Sequence, residues 1–511
     1  MVLSICLSFF YFSLFLWFIY RAPFFAVEGL SRRNISLIFG LKVVFGVVLI
    51  EIYSHFYTIR STADAFKYYD DAKVIYQALF AHPWDAFRIL TGINSDALDL
   101  FPYYQKMNNW YLADNYTFYN DSRSVIRFNA LVFPFAFGRY VVHMIVMCFL
   151  SLSGLVALYK AFRAPFYNKS HSLIFAVFLV PSVLFWGSGV LKEGLILFAS
   201  GFLIYYFFLL LNEGFTWKRA GGFALFFYLM IRINFHILMS LIPGFVLLLW
   251  NKKFPAFSIY KKAIVAAFFA LLFAFTLSAV SQKYSPFRML AQKQNDFINL
   301  ANGGFYFEKM DAQKDTFYLE EKHRQHIYSA SDSIHWKLRA DAIYYHWSKG
   351  ELIDTLKYDD KEQSSFRLIM HLDSSGSKIN LTRLKPALGS ILKNIPIALV
   401  NTLFRPTVFD RNNLLSLFAA LENFLISILV ILVILFFKKP KPEEQSIFIF
   451  CLSFVFILFS IIGLTTPVLG ALVRYKIPGL PYLFMIFMLL MDGEKLKNKF
   501  PLLNRIISKL F

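Results

Sequence analysis

The chain has 511 residues, of which 58% are hydrophobic and 19% aromatic, and its formal net charge is +20 at pH 7. The mean hydropathy of +0.53 excludes an ordinary soluble enzyme and predicts a polytopic membrane protein. Nucleic-acid-binding proteins also carry a large positive charge, but here the basic residues are dispersed between apolar runs. We therefore expect no nucleic-acid partner and expect the charge to orient the chain in the membrane.

Eleven apolar runs are candidates for transmembrane helices, which need about 20 residues, or fewer where a helix is broken. In chain order the runs cover 2–20, 35–57, 139–159, 172–187, 190–211, 220–232, 235–250, 263–280, 414–437, 446–463 and 477–491. The first run lacks a basic start and a small-residue cleavage site, so we predict a retained span. The expected fold is an all-α polytopic membrane protein of about 11 helices, with a mixed α/β external domain.

Loop charge predicts the orientation. With the N-terminus outside, the inner loops hold 20 basic and six acidic residues, as the positive-inside rule requires. The basic residues are Arg21, Arg32, Arg33, Lys160, Arg163, Lys169, Lys218, Arg219, Lys252, Lys253, Lys261, Lys262, Lys438, Lys439, Lys441, Lys495, Lys497, Lys499, Arg505 and Lys509. We expect a bacterial inner or plasma membrane, with large loops outside and the C-terminus cytoplasmic.

This orientation predicts five consecutive regions. They are N-terminal spans (1–57), a first external loop (58–138), a central bundle (139–280), an external domain (281–413), and C-terminal spans with a basic cytosolic tail (414–511). Within 281–413, the run 366–373, the turn Ser-Ser-Gly-Ser and the run 378–384 predict a β-hairpin. The rest of that region is predicted to be mostly helical.

The first external loop holds eight Asp and no Glu. Helical spacing puts Asp64, Tyr68 and Asp71 on one face of an amphipathic helix that begins just beyond a span. A carboxylate there suits a general base toward a sugar hydroxyl, or a ligand for a divalent cation. The alternative is a solvated helix whose Asp64 caps its N-terminus.

Basic residues at the outer ends of spans are the strongest functional signal, because charge at that depth is costly. Lys192 and Glu193 follow the helix-breaking Gly187-Ser-Gly189, at the electropositive start of the next span. A helix start with a lysine suits an anion. The alternative is that Lys192 snorkels to lipid headgroups while Glu193 pairs with a neighbour.

Two further positions have the same character. Arg232 and His236 lie at the outer turn between two short spans, where they suit a phosphate. The alternative there is a loop that contacts the external domain. Arg405, just before the ninth span, is a candidate for the same cluster of cations.

Arg474, Tyr475 and Lys476 open the last span, followed by Pro478 and Pro481, which a first helical turn tolerates. Interfacial anchoring is the alternative role for these three residues. This pattern, R-Y-x-x-P-x-x-P, resembles one that opens the final span of the polytopic glycosyltransferases of the GT-C class. The aspartate-bearing helix resembles that class too. Ser188–Glu193 is similar to a segment of bacterial exopolysaccharide-pathway membrane proteins.

The resemblance implies an enzyme that uses polyprenyl-phosphate-linked sugars at the outer membrane face. It implies a catalytic carboxylate at Asp64 or Asp71 and a carrier-phosphate contact at Arg474. Two features depart from the family pattern. The first outer loop follows the second span rather than the first, and Asp64 with Asp70-Asp71 replaces an adjacent Asp-Glu or a lone Asp.

We therefore predict transfer of a sugar from a polyprenyl-phosphate carrier to a glycan or lipid acceptor, for cell-surface glycan synthesis. The expected phosphate ligands are Lys192, Arg232, His236, Arg405, Arg474 and Lys476, with Tyr68, Glu193 and Tyr475 in support. No cofactor is predicted apart from an optional divalent cation, and P-loop and zinc motifs are absent from the sequence.

Two alternatives remain. One is a polysaccharide polymerase or ligase acting on lipid-diphosphate-linked glycans. The other is a flippase or transporter, which Lys42, Glu51 and His143 within the spans favour.

Overall fold

A computed structural model describes residues 2–56, 60, 63–110, 122–281, 284–309, 316–329, 335–346, 353–357, 366–410 and 414–500. Two of the eight aspartates of the first external loop, Asp114 and Asp121, lie outside the described residues, as do the basic residues Arg505 and Lys509. The chain divides into two compact units. The first unit comprises Met1–Lys262, Ile428–Val455 and Ile477–Phe511, and the second comprises Ala263–Ser427 and Phe456–Lys476.

Helices dominate the described chain. The first ten are α1 Val2–Arg21, α2 Arg32–Phe56, α3 Asp64–Ala81, α4 Pro83–Thr91, α5 Phe101–Tyr104, α6 Ser122–Ala136, α7 Tyr140–Phe162, α8 Ser170–Ile174, α9 Pro181–Trp186 and α10 Lys192–Glu213. The others are α11 Trp217–Ile233, α12 Phe235–Lys253, α13 Ile259–Val280, α14 Pro286–Asn302, α15 Leu388–Phe404, α16 Leu414–Leu435, α17 Gln445–Thr465, α18 Leu469–Tyr475, α19 Leu480–Leu490 and α20 Gly493–Lys499.

Nine stretches of the described chain are helical, long and apolar enough to cross a membrane. They are Val2–Arg21, Arg32–His55, Tyr140–Phe162, Lys192–Glu213, Phe235–Lys253, Ile259–Val280, Leu415–Leu435, Gln445–Thr465 and Leu469–Leu490. The prediction of a mainly helical chain with many apolar spans is confirmed, whereas the count of eleven is not.

Two predicted spans are not continuous helices of that length. The run 172–187 breaks at Val180, whose backbone is extended (ψ 123°), and a π-helical turn precedes the break. Pro181 explains the break, because a proline disfavours helical geometry in the residue before it. The run 220–232 belongs to α11, which has only 17 residues and ends at Ile233.

Small residues bring α7 and α10 of the first unit into close contact. A Cβ on Gly201 would lie 2.0 Å from the carbonyl oxygen of Gly154, and a Cβ on Gly154 would lie 2.3 Å from that of Leu197. Backbones approach this closely only where side chains are missing, as is common between membrane helices. The glycines therefore set the crossing of two central helices.

The second unit contains a seven-stranded antiparallel sheet in the order β3-β4-β7-β1-β2-β5-β6. The strands are β1 Gly304–Lys309, β2 Thr316–Glu320, β3 Ile327–Ser329, β4 His335–Leu338, β5 Ala342–His346, β6 Ile353–Leu356 and β7 Phe366–Leu372. One face is packed with apolar side chains, among them Phe305, Phe307, Phe317, Leu319 and Phe366. On the opposite face, Tyr306 of β1 and Tyr318 of β2 are also buried, so both faces of these two central strands are covered.

The sheet corrects two predictions for 281–413. The described part of this region is not mostly helical, and the predicted hairpin is wrong. The strand Phe366–Leu372 exists, but it pairs with β1 and β4. Residues 378–384 form no strand beside it, and Lys378 makes an isolated bridge to Val468 instead. Local turn signals did not reveal this, because the partners of β7 are distant in sequence.

Arg383 joins α14 to the sheet within the second unit. Its guanidinium donates to Oδ1 of Asn295 at 3.1 Å and of Asn299 at 2.9 Å, both on α14. It also contacts Glu320 of β2 at 3.3 Å and lies 4.0 Å from the ring centroid of Tyr345 on β5. One planar cation thus satisfies acceptors from a helix and a strand at once.

Candidate anion-binding site

Arg123 and Arg127 of the first unit lie over Trp110, and Arg127 also approaches Arg232 at Gly92. We call these three arginines, with Trp110 and Gly92, the arginine cluster. Arg123 and Arg127 are one turn apart on α6, and their Cζ atoms lie 4.9 Å and 5.2 Å from the Trp110 ring centroid. Trp110 is fully buried. Cations over an indole face are attracted by its quadrupole, so the ring holds both guanidinium groups in place.

Arg232 brings the third guanidinium to the same place from the end of α11. A Cβ on Gly92 would lie 3.4 Å from Nη2 of Arg127 and 3.7 Å from Nη2 of Arg232. The Arg232 carbonyl accepts a hydrogen bond of 2.6 Å from Oγ of Ser124 on α6. The contact between α6 and α11 therefore fixes the position of Arg232 relative to Arg127.

The backbone conformation at position 92 requires glycine. It caps the C-terminus of α4 with φ 85°, in the left-handed region, and its amide donates to the Arg88 carbonyl. Glycine adopts this conformation without steric cost. Because it also lacks a side chain, space remains where the Arg127 and Arg232 guanidinium groups approach each other.

Acidic residues border the cluster. Arg123 donates to Asp96 at 2.7 Å and to the carbonyl of Trp110 at 3.1 Å, and the Asp96 side chain is 68% exposed. Arg88 makes a two-pronged pair with Asp99 (2.5 and 3.1 Å), which lowers the pKa of that carboxyl. Asp96 is therefore an accessible carboxylate at the rim of the cluster.

Asp71, predicted as a catalytic carboxylate, holds the turn that carries Trp110. Its two carboxylate oxygens accept the backbone amides of Asn108 and Asn109, each at 2.7 Å. The side chain is completely buried, and this burial raises the pKa of the carboxyl despite the two amides, which lower it. With both oxygens engaged, the geometry favours a positioning role for Asp71.

Asp64 and Tyr68 lie elsewhere on α3. Tyr68 is buried, so the predicted aspartate face is covered by protein rather than turned toward the membrane surface. Asp64 is half-buried in the first turn. Phe66, two residues on, contacts Tyr140 at the start of α7.

The other residues predicted in the first unit lie at helix starts. Lys192 is the first residue of α10, half-buried, and Glu193 beside it is buried. His236 is the second residue of α12, where its carbonyl accepts from Oγ of Ser240 at 2.8 Å. Of the predicted phosphate ligands in this unit, the arginine cluster includes Arg232.

The remaining predicted ligands belong to the second unit. Arg405 pairs with Asp410 at 3.2 Å. Lys476 is buried, and its Nζ donates to Oδ1 of Asn423 at 2.5 Å and to the Thr402 carbonyl at 3.2 Å. This ammonium therefore joins α15 to α16. Arg474 is half-buried in the last turn of α18, and Tyr475 follows it with 37% of its surface exposed.

The charged residues within spans differ from one another. Lys42 is completely buried, and the described residues offer its Nζ no hydrogen-bond acceptor. His143 is also buried, with Nδ1 2.9 Å from Oδ1 of Asn129. Glu51 is exposed, 3.7 Å from His55. Among the described residues, no three His, Cys, Asp or Glu side chains are grouped as a metal ion would require.

Sequence reasoning missed Arg123, Arg127 and Trp110. The available signal was the i, i+4 spacing of the two arginines in Ser122-Arg-Ser-Val-Ile-Arg127, which places both on one helix face. Comparison with known proteins adds no further guidance, since no protein-family model, curated protein or solved structure matches the chain.

Proposed function

We propose that the protein transfers a sugar from a polyprenyl-phosphate carrier to an acceptor hydroxyl at the outer face of the membrane, in cell-surface glycan synthesis. The arginine cluster is the observation that supports this proposal. Guanidinium groups bind phosphate oxygens in a bidentate manner, and two of them, from Arg127 and Arg232, face one space at Gly92. A cluster at the end of α11, an apolar helix, suits a phosphate that carries a lipid tail.

The proposed reaction needs an acceptor hydroxyl, a carrier phosphate, a carboxylate and the guanidinium groups of the cluster. The acceptor oxygen attacks the anomeric carbon, and the bond from that carbon to the carrier phosphate breaks with its electron pair staying on the phosphate. The acceptor proton passes to a carboxylate. Negative charge grows on the leaving phosphate, and guanidinium groups held in place beforehand stabilise it in the transition state.

Two carboxylates are candidates for the base. The resemblance to GT-C glycosyltransferases implies Asp64 or Asp71, and of these two Asp64 is half-buried whereas Asp71 is completely buried. Asp96 is accessible and lies beside Arg123 in the cluster. The two are separable experimentally because they lie on different elements of the first unit. An optional divalent cation stays part of the proposal for whichever carboxylate acts.

A polymerase or ligase that acts on lipid-diphosphate-linked glycans is the second candidate. Arg127 and Arg232 approach one point at Gly92 and Arg123 lies over the same Trp110 ring as Arg127, and a diphosphate offers such a set of guanidinium groups more acceptor oxygens than one phosphate does. The chemistry at the anomeric carbon is the same. The products differ, because a transferase adds one sugar and a polymerase lengthens a chain.

The decisive experiment is a transfer assay with the full-length protein in liposomes. Radiolabelled hexose and pentose donors on polyprenyl monophosphate, and an oligosaccharide on polyprenyl diphosphate, are supplied with a glycan or lipid acceptor. We expect Arg127→Gln and Arg232→Gln each to lower the rate about 100-fold, as removal of one preorganised donor does. Lys218→Gln, at an exposed lysine of α11, is the matched control and should transfer normally.

The same assay identifies the base. Asp64→Asn or Asp96→Asn should abolish transfer while the variant still binds a short polyprenyl phosphate. Normal transfer by both arginine variants with the active donor would overturn the assignment of the site. Equal binding of a polyprenyl phosphate and the corresponding polyprenyl alcohol to the wild-type protein would also overturn it.

A further inference from the structure

A groove between α1 and α2 has features that the proposed function does not use. Its volume is about 490 Å³, and its lining is apolar apart from Tyr20 and Arg33 at one end and Ser36 beside them. Tyr20 is near the end of α1 and Arg33 near the start of α2. These residues therefore lie at the water–lipid boundary of a helical hairpin, and the groove runs from there into the membrane.

The length of the groove matches the hydrocarbon thickness of one leaflet of a bilayer. Along α2 it extends from Arg33 to Val44, which is roughly 16 Å at the rise of an α-helix. Half of the hydrocarbon core of a bilayer measures about 15 Å. Gly40 lies between these residues, and a Cβ there would meet no atom within 4 Å. The missing side chain leaves space for an extended acyl chain along the helix.

Polar groups at the boundary end are available to a ligand. Arg33 is exposed, and no hydrogen bond or ion pair joins its side chain to the described residues. The Ser36 hydroxyl, one turn deeper, is buried and has no hydrogen-bond partner among the same residues. A buried hydroxyl without a partner costs free energy, so an acceptor from outside the chain would be stabilising.

From these observations we infer that the groove binds an anionic glycerophospholipid of the surrounding leaflet. The phosphate contacts the Arg33 guanidinium, the glycerol ester accepts from the Ser36 hydroxyl, and one acyl chain lies along Gly40 between Leu16 and Leu41. A guanidinium at a lipid surface attracts anionic headgroups. The apolar lining excludes a soluble phosphate compound as the occupant, since such a ligand has nothing to place beside Gly40.

Native mass spectrometry of the full-length protein tests this site. The probes are palmitoyl-oleoyl phosphatidylglycerol and the diacylglycerol with the same chains. We expect the wild-type protein to bind the phospholipid about fivefold more tightly than the diacylglycerol, which is the effect expected of one basic residue near an anionic lipid surface. Arg33→Gln should remove that preference, and Gly40→Phe should weaken the binding of both lipids. Lys218→Gln and Gly221→Phe, at exposed positions of α11, should behave as wild type.

A second measurement uses only the wild-type protein and therefore does not require the variants to fold. Phosphatidylglycerol with a photoreactive diazirine on its acyl chain is added to the wild-type protein, and labelled peptides are identified. Labelling concentrated in α1 and α2 at Leu16, Leu37 and Leu41 supports the site. Uniform labelling of the exposed spans, or a phospholipid preference that Arg33→Gln leaves unchanged, would overturn the inference.

Discussion

Nη2 of Arg127 and Nη2 of Arg232 approach one point, 3.4 Å and 3.7 Å from the position that a Cβ on Gly92 would take. The two residues are distant in sequence and belong to different helices, α6 and α11. Like charges held this close repel one another, and the repulsion is relieved when an anion lies between them. The packing of α6 against α11 therefore places two guanidinium groups beside one point, an arrangement that suits an anion.

Replacement of Gly92 tests that space. Gly92→Ala should lower transfer and phosphate-carrier binding about tenfold or more, because the new methyl group lies against both guanidinium groups. The substitution also carries backbone strain, since φ is 85°. Gly138→Ala is the matched control: its φ is 68°, and a Cβ there meets no atom within 4 Å. Equal losses in both variants, measured by binding and transfer, would assign the effect to strain alone.

Asp71→Asn should destabilise the protein by about 1–3 kcal/mol, because an amide cannot accept the backbone N–H groups of Asn108 and Asn109 together. Hydrogen exchange should show faster exchange of those two amides. Asp70→Asn is the control, since Asp70 pairs with the exposed Arg60 and such pairs contribute about 0–1 kcal/mol. Unchanged exchange at 108–109 would contradict the positioning role of Asp71.

Gly201→Ala should reduce thermal stability and the yield of folded protein. Its methyl group would lie 2.0 Å from the Gly154 carbonyl oxygen, so α7 and α10 must separate. Gly221→Ala, on the exposed face of α11, meets no atom within 4 Å and should be neutral or slightly stabilising. The melting temperatures of the two variants in detergent give the comparison, and similar values would contradict the close crossing.

Lys476→Met separates two roles of this lysine. The buried ammonium holds Asn423 and the Thr402 carbonyl, so its loss should cost about 1–3 kcal/mol of stability. A carrier-phosphate role would instead reduce transfer at normal stability. Lys393→Met, at an exposed position of α15, is the control. Denaturation and transfer assays on the same samples distinguish the outcomes.

The lowered pKa of Lys169 predicts that the stability of the protein depends on pH. Burial, and then the nearby Lys438, lower the pKa of this amine to about 8, although it donates to the Met488 carbonyl. At pH values between about 8, the pKa of Lys169 in the folded protein, and 10.5, its ordinary value, the folded protein binds fewer protons than the unfolded chain. The free energy of unfolding therefore rises with pH in this range. Thermal unfolding from pH 7.5 to 9.5 should show a smaller rise in Lys169→Met than in wild type. Lys218→Met should keep the wild-type slope.

The sequence by itself determined most of the long apolar helices, which are consistent with an integral membrane protein. Apolar runs of about 20 residues have one stable arrangement in lipid, because backbone N–H and C=O groups must pair within the segment. The runs 2–20, 35–57 and 139–159 accordingly appear as α1, α2 and α7. The same reasoning overcounted at 172–187, where Pro181 interrupts a run whose composition alone is that of a span.

Only the tertiary structure decided the arginine cluster and the sheet. Arg127 and Arg232 become neighbours through the packing of α6 against α11, and β7 pairs with β1 and β4 across long stretches of chain. It also placed the Asp71 carboxylate in a buried position, where it accepts the backbone amides of Asn108 and Asn109. Helical periodicity predicts which residues share a face. What covers that face depends on contacts between segments remote in sequence, and no local pattern encodes those contacts.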